Sequence, residues 1–165
     1  MRISKFCITN YRNIIDSGWI VATDVTAIVG QNEAGKSNLF EALYCLHSYV
    51  ETWYNPDEDW PVDDWKGKRN AKGKLVAQAY FEFGDSEAKE LFEFATEVIT
   101  DADGNELEAT VAAPPNGLRL FACRSYGHLT DFGLHDQEGN AISAADLGLS
   151  KEKVSEWAGE HVPRF

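Results

Sequence analysis

The chain has 165 residues, 44% of them hydrophobic, with 27 acidic against 15 basic side chains and a formal net charge of −12. That is enough apolar material for one buried core and too much for a disordered tail, so a single domain over residues 1–165 is expected. Residues 1–50 hold four basic and four acidic side chains, so the whole acidic excess falls in 51–165, and so acidic a surface argues against a general nucleic-acid binder.

Cys7, Cys45 and Cys123 are few, odd in number and scattered, without a C-x-x-C pair, which points away from a disulfide framework or a zinc site and towards a reducing compartment. His47, His128, His135 and His161 show no ligand spacing with one another or with cysteine. The N-terminus mixes charged and apolar residues without a signal-like apolar stretch, and no run approaches 18 apolar residues. A cytoplasmic protein with no membrane span is therefore expected.

In chain order, Ile3–Ile8 alternates apolar and polar residues and predicts a half-buried strand, with Gly18–Val21 as its hairpin partner. The turn between them reads Asn10-Tyr11-Arg12-Asn13. Asp24–Val29 is a short β-branched apolar run that predicts a buried strand ending at Gly30. Gly30-Gln31-Asn32-Glu33-Ala34-Gly35-Lys36-Ser37 then matches G-x-x-x-x-G-K-[ST], a loop whose backbone N–H groups cradle phosphates. From Ser37 to about Tyr49 there is no Gly or Pro, and Leu39, Phe40, Ala42, Leu43, Leu46 and Tyr49 predict a largely buried helix. Strand, glycine loop and helix together predict a P-loop core. Gly30 and Gly35 allow the backbone to turn inward, the helix N-terminus adds unpaired donors, Lys36 reaches the β- and γ-phosphates, and the Ser37 hydroxyl joins the coordination of a Mg²⁺ ion. The expected cofactors are ATP, or GTP, with Mg²⁺.

A strand, an N-[FY]-R-N turn, a second strand and a further strand feeding G-x-N-x-[AG]-G-K-S resemble the N-terminus of the ABC-type ATPases of the RecF, SMC and OLD (overcoming lysogenization defect) group, OLD-like ATPases above all. This likeness covers residues 1–50. It implies that Asn32 lies near the γ-phosphate and that Arg12 approaches the nucleotide. The candidate nucleotide-binding set is accordingly Gly30, Gln31, Asn32, Glu33, Ala34, Gly35, Lys36, Ser37 and Asn38, with Arg12 and Asn13 from the turn. The resemblance also implies a lobe that pairs through its nucleotide site as a homodimer, or works with an effector such as a Toprim nuclease or an SMC-like DNA repair machine. DNA would then be met indirectly.

Residues 51–74 show little periodicity and predict a long loop. Within it, Asp59-Trp60-Pro61 again resembles OLD-like ATPases, and Lys66, Lys68, Arg69, Lys72 and Lys74 put five bases into nine residues. Residues 75–83 alternate cleanly and predict a strand with Val76, Gln78, Tyr80 and Glu82 on a wetter face. Asp85 or Ser86 can cap a helix to about Thr100, with Leu91, Phe92, Phe94, Ala95 and Val98 as its apolar stripe. Turns at Asp103-Gly104-Asn105, Pro114–Gly117 and Glu138-Gly139-Asn140 separate strand-like runs at about 107–113, 118–125 and 129–135, which predict an antiparallel meander. Ser150 can cap a final helix carrying Val154, Trp157, Ala158 and His161.

No apolar strand after Lys36 ends in an Asp-Glu pair to hold Mg²⁺ and polarise water, and no L-S-G-G-Q signature follows. The expectation is therefore an α/β, ABC-ATPase-like lobe of a longer protein, which binds Mg-ATP for a DNA-processing or DNA-defence effector and carries no catalytic carboxylate of its own. The alternatives are a nucleotide-sensing module without catalysis and an unrelated P-loop enzyme; the absence of an N-K-x-D box weighs against a GTPase.

Overall fold

A computed structural model of the chain describes residues 1–31, 35–84, 86–96, 99–100, 106–107 and 111–165. The first ladder forms around β1 (Arg2–Tyr11). β2 (Ile14–Asp16) folds back on it, antiparallel, with Tyr11 opposite Ile14 and Thr9 opposite Asp16, so Arg12-Asn13 is a two-residue hairpin loop. β3 (Ile20–Val21) continues along β1, placing Phe6 opposite Ile20 and Lys5 opposite Val21. The returning strand thus takes four steps from Asp16 to Ile20 while β1 takes three from Thr9 to Phe6. The extra residue is absorbed at Ser17-Gly18, where Gly18 adopts φ +62° and the Ser17 hydroxyl accepts from the Ile8 amide at 2.9 Å. The expected partner Gly18–Val21 is therefore a shorter strand behind a bulge, and the hairpin itself is closed by Ile14–Asp16.

Asp24–Val29 corrects a second expectation. It joins no ladder, and Val25 and Val29 are 87% and 88% exposed. At its start, the Thr26 hydroxyl accepts from the Thr23 amide at 2.9 Å and the Thr23 hydroxyl donates to the Val25 carbonyl at 3.0 Å. Such local threonine bonds offer the backbone an alternative to a sheet. β1, meanwhile, already has β2 and β3 as neighbours and β4 (Leu75–Glu82) besides.

Helix α1 spans Lys36–Leu46 and buries Leu39, Ala42, Leu43 and Leu46, whereas Phe40 and Tyr49, expected inside, are exposed. It stops short of Tyr49 because its last carbonyls are taken from outside the helix. Cys45 O accepts from Arg124 Nη1, Leu46 O from the Thr130 hydroxyl, and His47 O from the Phe165 amide at 2.9 Å. The stretch 51–74 folds into short turns: α2 (Pro56–Asp59), capped by the Asn55 side chain at 3.0 Å, and two 3₁₀ turns at Val62–Asp64 and Gly67–Asn70. In the basic run, Lys68 pairs with Asp57 at 3.0 Å and Lys66 lies over the Trp65 ring. The wetter face expected of β4 is wet only at Gln78 and Glu82, which are half-buried, whereas Val76 and Tyr80 on the same face are buried like Ala77, Ala79 and Phe81 opposite.

α3 covers Glu87–Ala95 and ends earlier than Thr100. Thr96 turns extended and bridges to Leu149, and Ile99–Thr100 forms β5, antiparallel to β6 (Glu106–Leu107). Thr96, Ile99 and Thr100 are β-branched, which favours extended backbone over helix. Asp85 and Val98, named for the cap and the stripe, lie outside the described residues, as do 108–110 of the expected strand at 107–113; 111–113 form no strand. β7 (Arg119–Ser125), β8 (Asp131–His135) and a short, unforeseen β9 (Ala141–Ile142) follow, and α4 (Lys151–His161) starts at a Ser150 cap. Hydrogen bonds join the larger sheet in the order β2-β1-β4-β7-β8-β9, with β3 also on β1.

The chain divides into two compact units, each assembled from separated stretches. One comprises residues 1–2, 82–121 and 132–162, where α3 packs on α4 and Leu91, Phe92, Leu120, Leu149, Val154 and Trp157 are buried. The other comprises 3–81, 122–131 and 163–165 and buries Phe6, Ile8, Leu39, Leu46, Val76, Phe81 and Tyr126. No described helix is long and apolar enough to cross a membrane.

Candidate nucleotide site

The candidate site lies in the second of these units, at the start of α1. Gly35 precedes the helix with φ +90° and ψ 9°, and no side chain caps the first turn, which also lacks an acidic residue. The first N–H groups of α1 are thus left without a side-chain acceptor at the positive end of the helix dipole. Gly35 meets two demands at once: its φ is closed to residues with a Cβ, and a Cβ would stand 2.7 Å from both polar atoms of the Asn13 amide. Lys36 bends back so that Nζ donates to the carbonyls of Gly30 at 2.7 Å and Gln31 at 2.5 Å. The ammonium therefore already lies on the rim of the loop. Ser37 is exposed one residue further on, and Asn32, Glu33 and Ala34 lie outside the described residues. A cavity of about 440 Å³ opens beside this point, with Asn13, Ile14, Asp16, Val29, Gly35 and Lys36 among its walls.

The hairpin turn and the helix are tied together. The Asn38 amide donates to Asn13 Oδ1 at 2.9 Å, and Arg12 Nη1 donates to Asn38 Oδ1 at 3.1 Å and to the Glu41 carboxylate. Arg12 Nε donates to Asp59 Oδ1 at 3.2 Å, and its backbone amide to Asp59 O at 2.6 Å. Burial works against the charge on Arg12, but Tyr11, Glu41 and Asp59 outweigh it and strengthen the guanidinium's hold on its proton. The turn is strained: Asn10 and Arg12 have φ +53° and +49°. A left-handed residue with a side chain costs roughly 1 to 2 kcal/mol, so its surroundings must hold it.

Aromatic packing supplies that hold. Tyr126 is fully buried and donates its hydroxyl to Asn10 O at 2.6 Å. Its ring meets Tyr54 at 5.9 Å and Trp60 at 5.5 Å, and Tyr54 meets Tyr11 edge-on at 5.8 Å. Tyr54 in turn donates to Ala42 O in α1 at 2.7 Å, and Trp60 Nε1 to Asp64 O at 2.7 Å. Burial raises the phenol pKa of Tyr11, Tyr54 and Tyr126, and for Tyr11 and Tyr126 the Asp59 charge raises it further.

The sequence-predicted residues Arg12, Asn13, Gly35, Lys36 and Asn38 are therefore brought together, with Gly30 and Gln31 held by Lys36. Asp59, Glu41 and Tyr126 were not foreseen as neighbours of the turn. The signal for Asp59 was its place in an acid-aromatic-proline stretch with Trp60 and Pro61; nothing in the sequence linked that stretch to a turn 47 residues earlier. Among the described residues, no cluster of three His, Cys, Asp or Glu is placed to hold a metal ion.

No family model matches the chain. Two curated relatives share local sequence similarity. The DNA replication and repair protein RecF of Flavobacterium johnsoniae is 32% identical over 56 residues, which cover 34% of this chain and 15% of that protein. The RecF protein of Desulforamulus reducens is 32% identical over 66 residues, 40% of this chain and 17% of the relative. The matches thus span less than a fifth of either relative's length. Among solved structures, a chain from work on the ATP-driven dimerization and DNA-stimulated activation of SMC ATPases superposes with a TM-score of 0.42 at 14% identity, covering 98% of this chain and 85% of that one. In sequence, part of this chain is similar to part of RecF.

Proposed function

We propose that the chain is a nucleotide-binding part of an ABC-type ATPase of the RecF/SMC group and that its ligand is Mg-ATP. The observation that carries this reading is the Gly30–Ser37 motif opening α1 at a helix N-terminus without a side-chain cap, with Lys36 already on the loop's carbonyls. The local likeness to two RecF proteins supports it. The donor set fits a polyphosphate. Backbone amides of the first turn and Lys36 would hold phosphate oxygens, and Arg12 and Asn38 stand at the same turn. Bound Mg²⁺ would neutralise phosphate charge, with the Ser37 hydroxyl as this chain's contribution.

By its likeness to RecF, the ATP-driven step would serve DNA replication, repair or defence. Pairing of two copies across the nucleotide, or coupling to an OLD-type Toprim nuclease, is the finer form of that reading. The sequence lacks an Asp-Glu pair after an apolar strand, so the chain by itself binds ATP without turning it over. Calorimetric titration of Mg-ATP into wild type and Lys36→Ala tests the assignment. Binding by the wild type that is lost or strongly weakened in the variant is expected, and equal affinities refute it.

A further inference from the structure

Among the described residues only two charged side chains are buried, Arg124 and Asp59. Arg124 spends its donors on the carbonyls of Cys45, Thr52 and His128 and so closes the far end of α1. Asp59 is used differently. Oδ2 accepts from the Asn55 amide at 2.9 Å, which fixes the carboxylate within its own short helix. Oδ1 takes Arg12 Nε, and the carbonyl takes the Arg12 amide, so one residue grips the turn arginine at both main chain and side chain.

That grip matters because Arg12 sits at φ +49°, a conformation it would leave if free. A guanidinium is planar, so a bond at Nε sets the plane in which the two terminal nitrogens lie. Nη1 then reaches Asn38 in the first turn of α1, and Nη2 has no partner among the described residues. The remaining bond of Nη1 goes to Glu41, whose side chain is 53% exposed, against 9% for Asp59. Exposed ion pairs are weak, so the Glu41 contact is the one that exchanges.

We propose that Asp59 is a positioning residue for nucleotide binding: it locks the Arg12 turn and delivers the far end of the guanidinium to the start of α1, where a phosphate replaces Glu41. This rests on the nucleotide reading given above. The test titrates Mg-ATP and Mg-ADP calorimetrically into the whole chain as wild type, Asp59→Asn, Arg12→Lys and the double variant, with melting temperatures in parallel. Asp59→Asn keeps the shape, removes the charge and turns an amide against the Asn55 N–H. Each single variant is expected to weaken binding about three- to tenfold, and the double variant no more than the worse single, because Asp59 acts through Arg12.

Additive weakening in the double variant, or none in Asp59→Asn, overturns the inference while leaving the nucleotide site standing. No binding by the wild type removes both. Where Asp59→Asn does not fold, Glu41→Gln tests the same exchange from the other side. Binding about two- to fivefold tighter, and only with Arg12 in place, supports it, and unchanged binding overturns it.

Discussion

Gly35→Ala isolates the geometry at the mouth of the candidate site. Gly35 stands at φ +90°, beyond the region an alanine tolerates, so a left-handed penalty of about 1 to 2 kcal/mol applies whatever the space around it. The new methyl would also lie 2.7 Å from both polar atoms of the Asn13 amide, which must swing away. Moving it breaks the 2.9 Å bond from Asn38, worth about 0.5 to 1.5 kcal/mol. The two costs sum to about 1.5 to 3.5 kcal/mol, which for a chain of this size lowers the melting temperature by roughly 3 to 14 °C. A double-mutant cycle separates them. With Asn13→Ala in the background the collision is gone and only the backbone penalty remains, so the second substitution costs about 1 kcal/mol less there. Thermal melts of the four proteins read both figures. Equal penalties in both backgrounds, or no penalty at all, would refute this account of why the loop ends in glycine.

Lys36→Ala should weaken Mg-ATP binding by about tenfold to a hundredfold, as for a charge-assisted hydrogen bond, while the melting temperature of the ligand-free protein stays close to wild type because, among the described residues, Nζ donates only to two exposed carbonyls. Tyr126→Phe leaves the half-buried Asn10 carbonyl without its donor and should cost about 1 to 2 kcal/mol in urea unfolding; a change below about 0.5 kcal/mol would mean that the aromatic packing alone holds the turn. The burial of Tyr11, Tyr54 and Tyr126 sets an alkaline limit. Unfolded phenols ionise near pH 10, and these three keep their protons to higher pH when folded, so the native state binds more protons and stability, intact below about pH 10, falls above it. Phenolate absorbance during an alkaline titration should show a late group of tyrosines appearing together with unfolding; six tyrosines titrating as one early class would contradict it.

Much of the local structure was legible. β1, the hairpin turn at Asn10–Asn13, the alternation of β4, the Ser150 cap and the Val154-Trp157-Ala158 stripe of α4 follow from period, turn chemistry and capping, all of which act within a few residues. What could not be read there depends on partners far away in the chain. α1 ends at Leu46 because Arg124, Thr130 and Phe165 take its carbonyls, and no feature of residues 36–50 announces them. The run 24–29 has the composition of a buried strand, but composition supplies no neighbouring edge, and Thr23 and Thr26 offer local bonds instead. The candidate site divides in the same way. The G-x-x-x-x-G-K-S spacing of Gly30–Ser37 is visible in the sequence, whereas Asp59 reaches Arg12 only through the fold of an aperiodic stretch.

The uncovered run from Val25 to Val29 also bears on how the molecule behaves in bulk. It joins no ladder, four of its five side chains are apolar and none is charged, and an exposed segment of that kind is a template for a like segment on another molecule. What keeps copies apart is the long-range repulsion of a chain carrying −12. That repulsion fades as the Debye length shrinks to about 3 Å at 1 M salt, while the attraction between exposed valines does not. Colloidal stability of this protein is therefore expected to follow ionic strength: dilute buffer keeps copies dispersed, and concentrated salt lets the exposed segment of one copy meet that of the next.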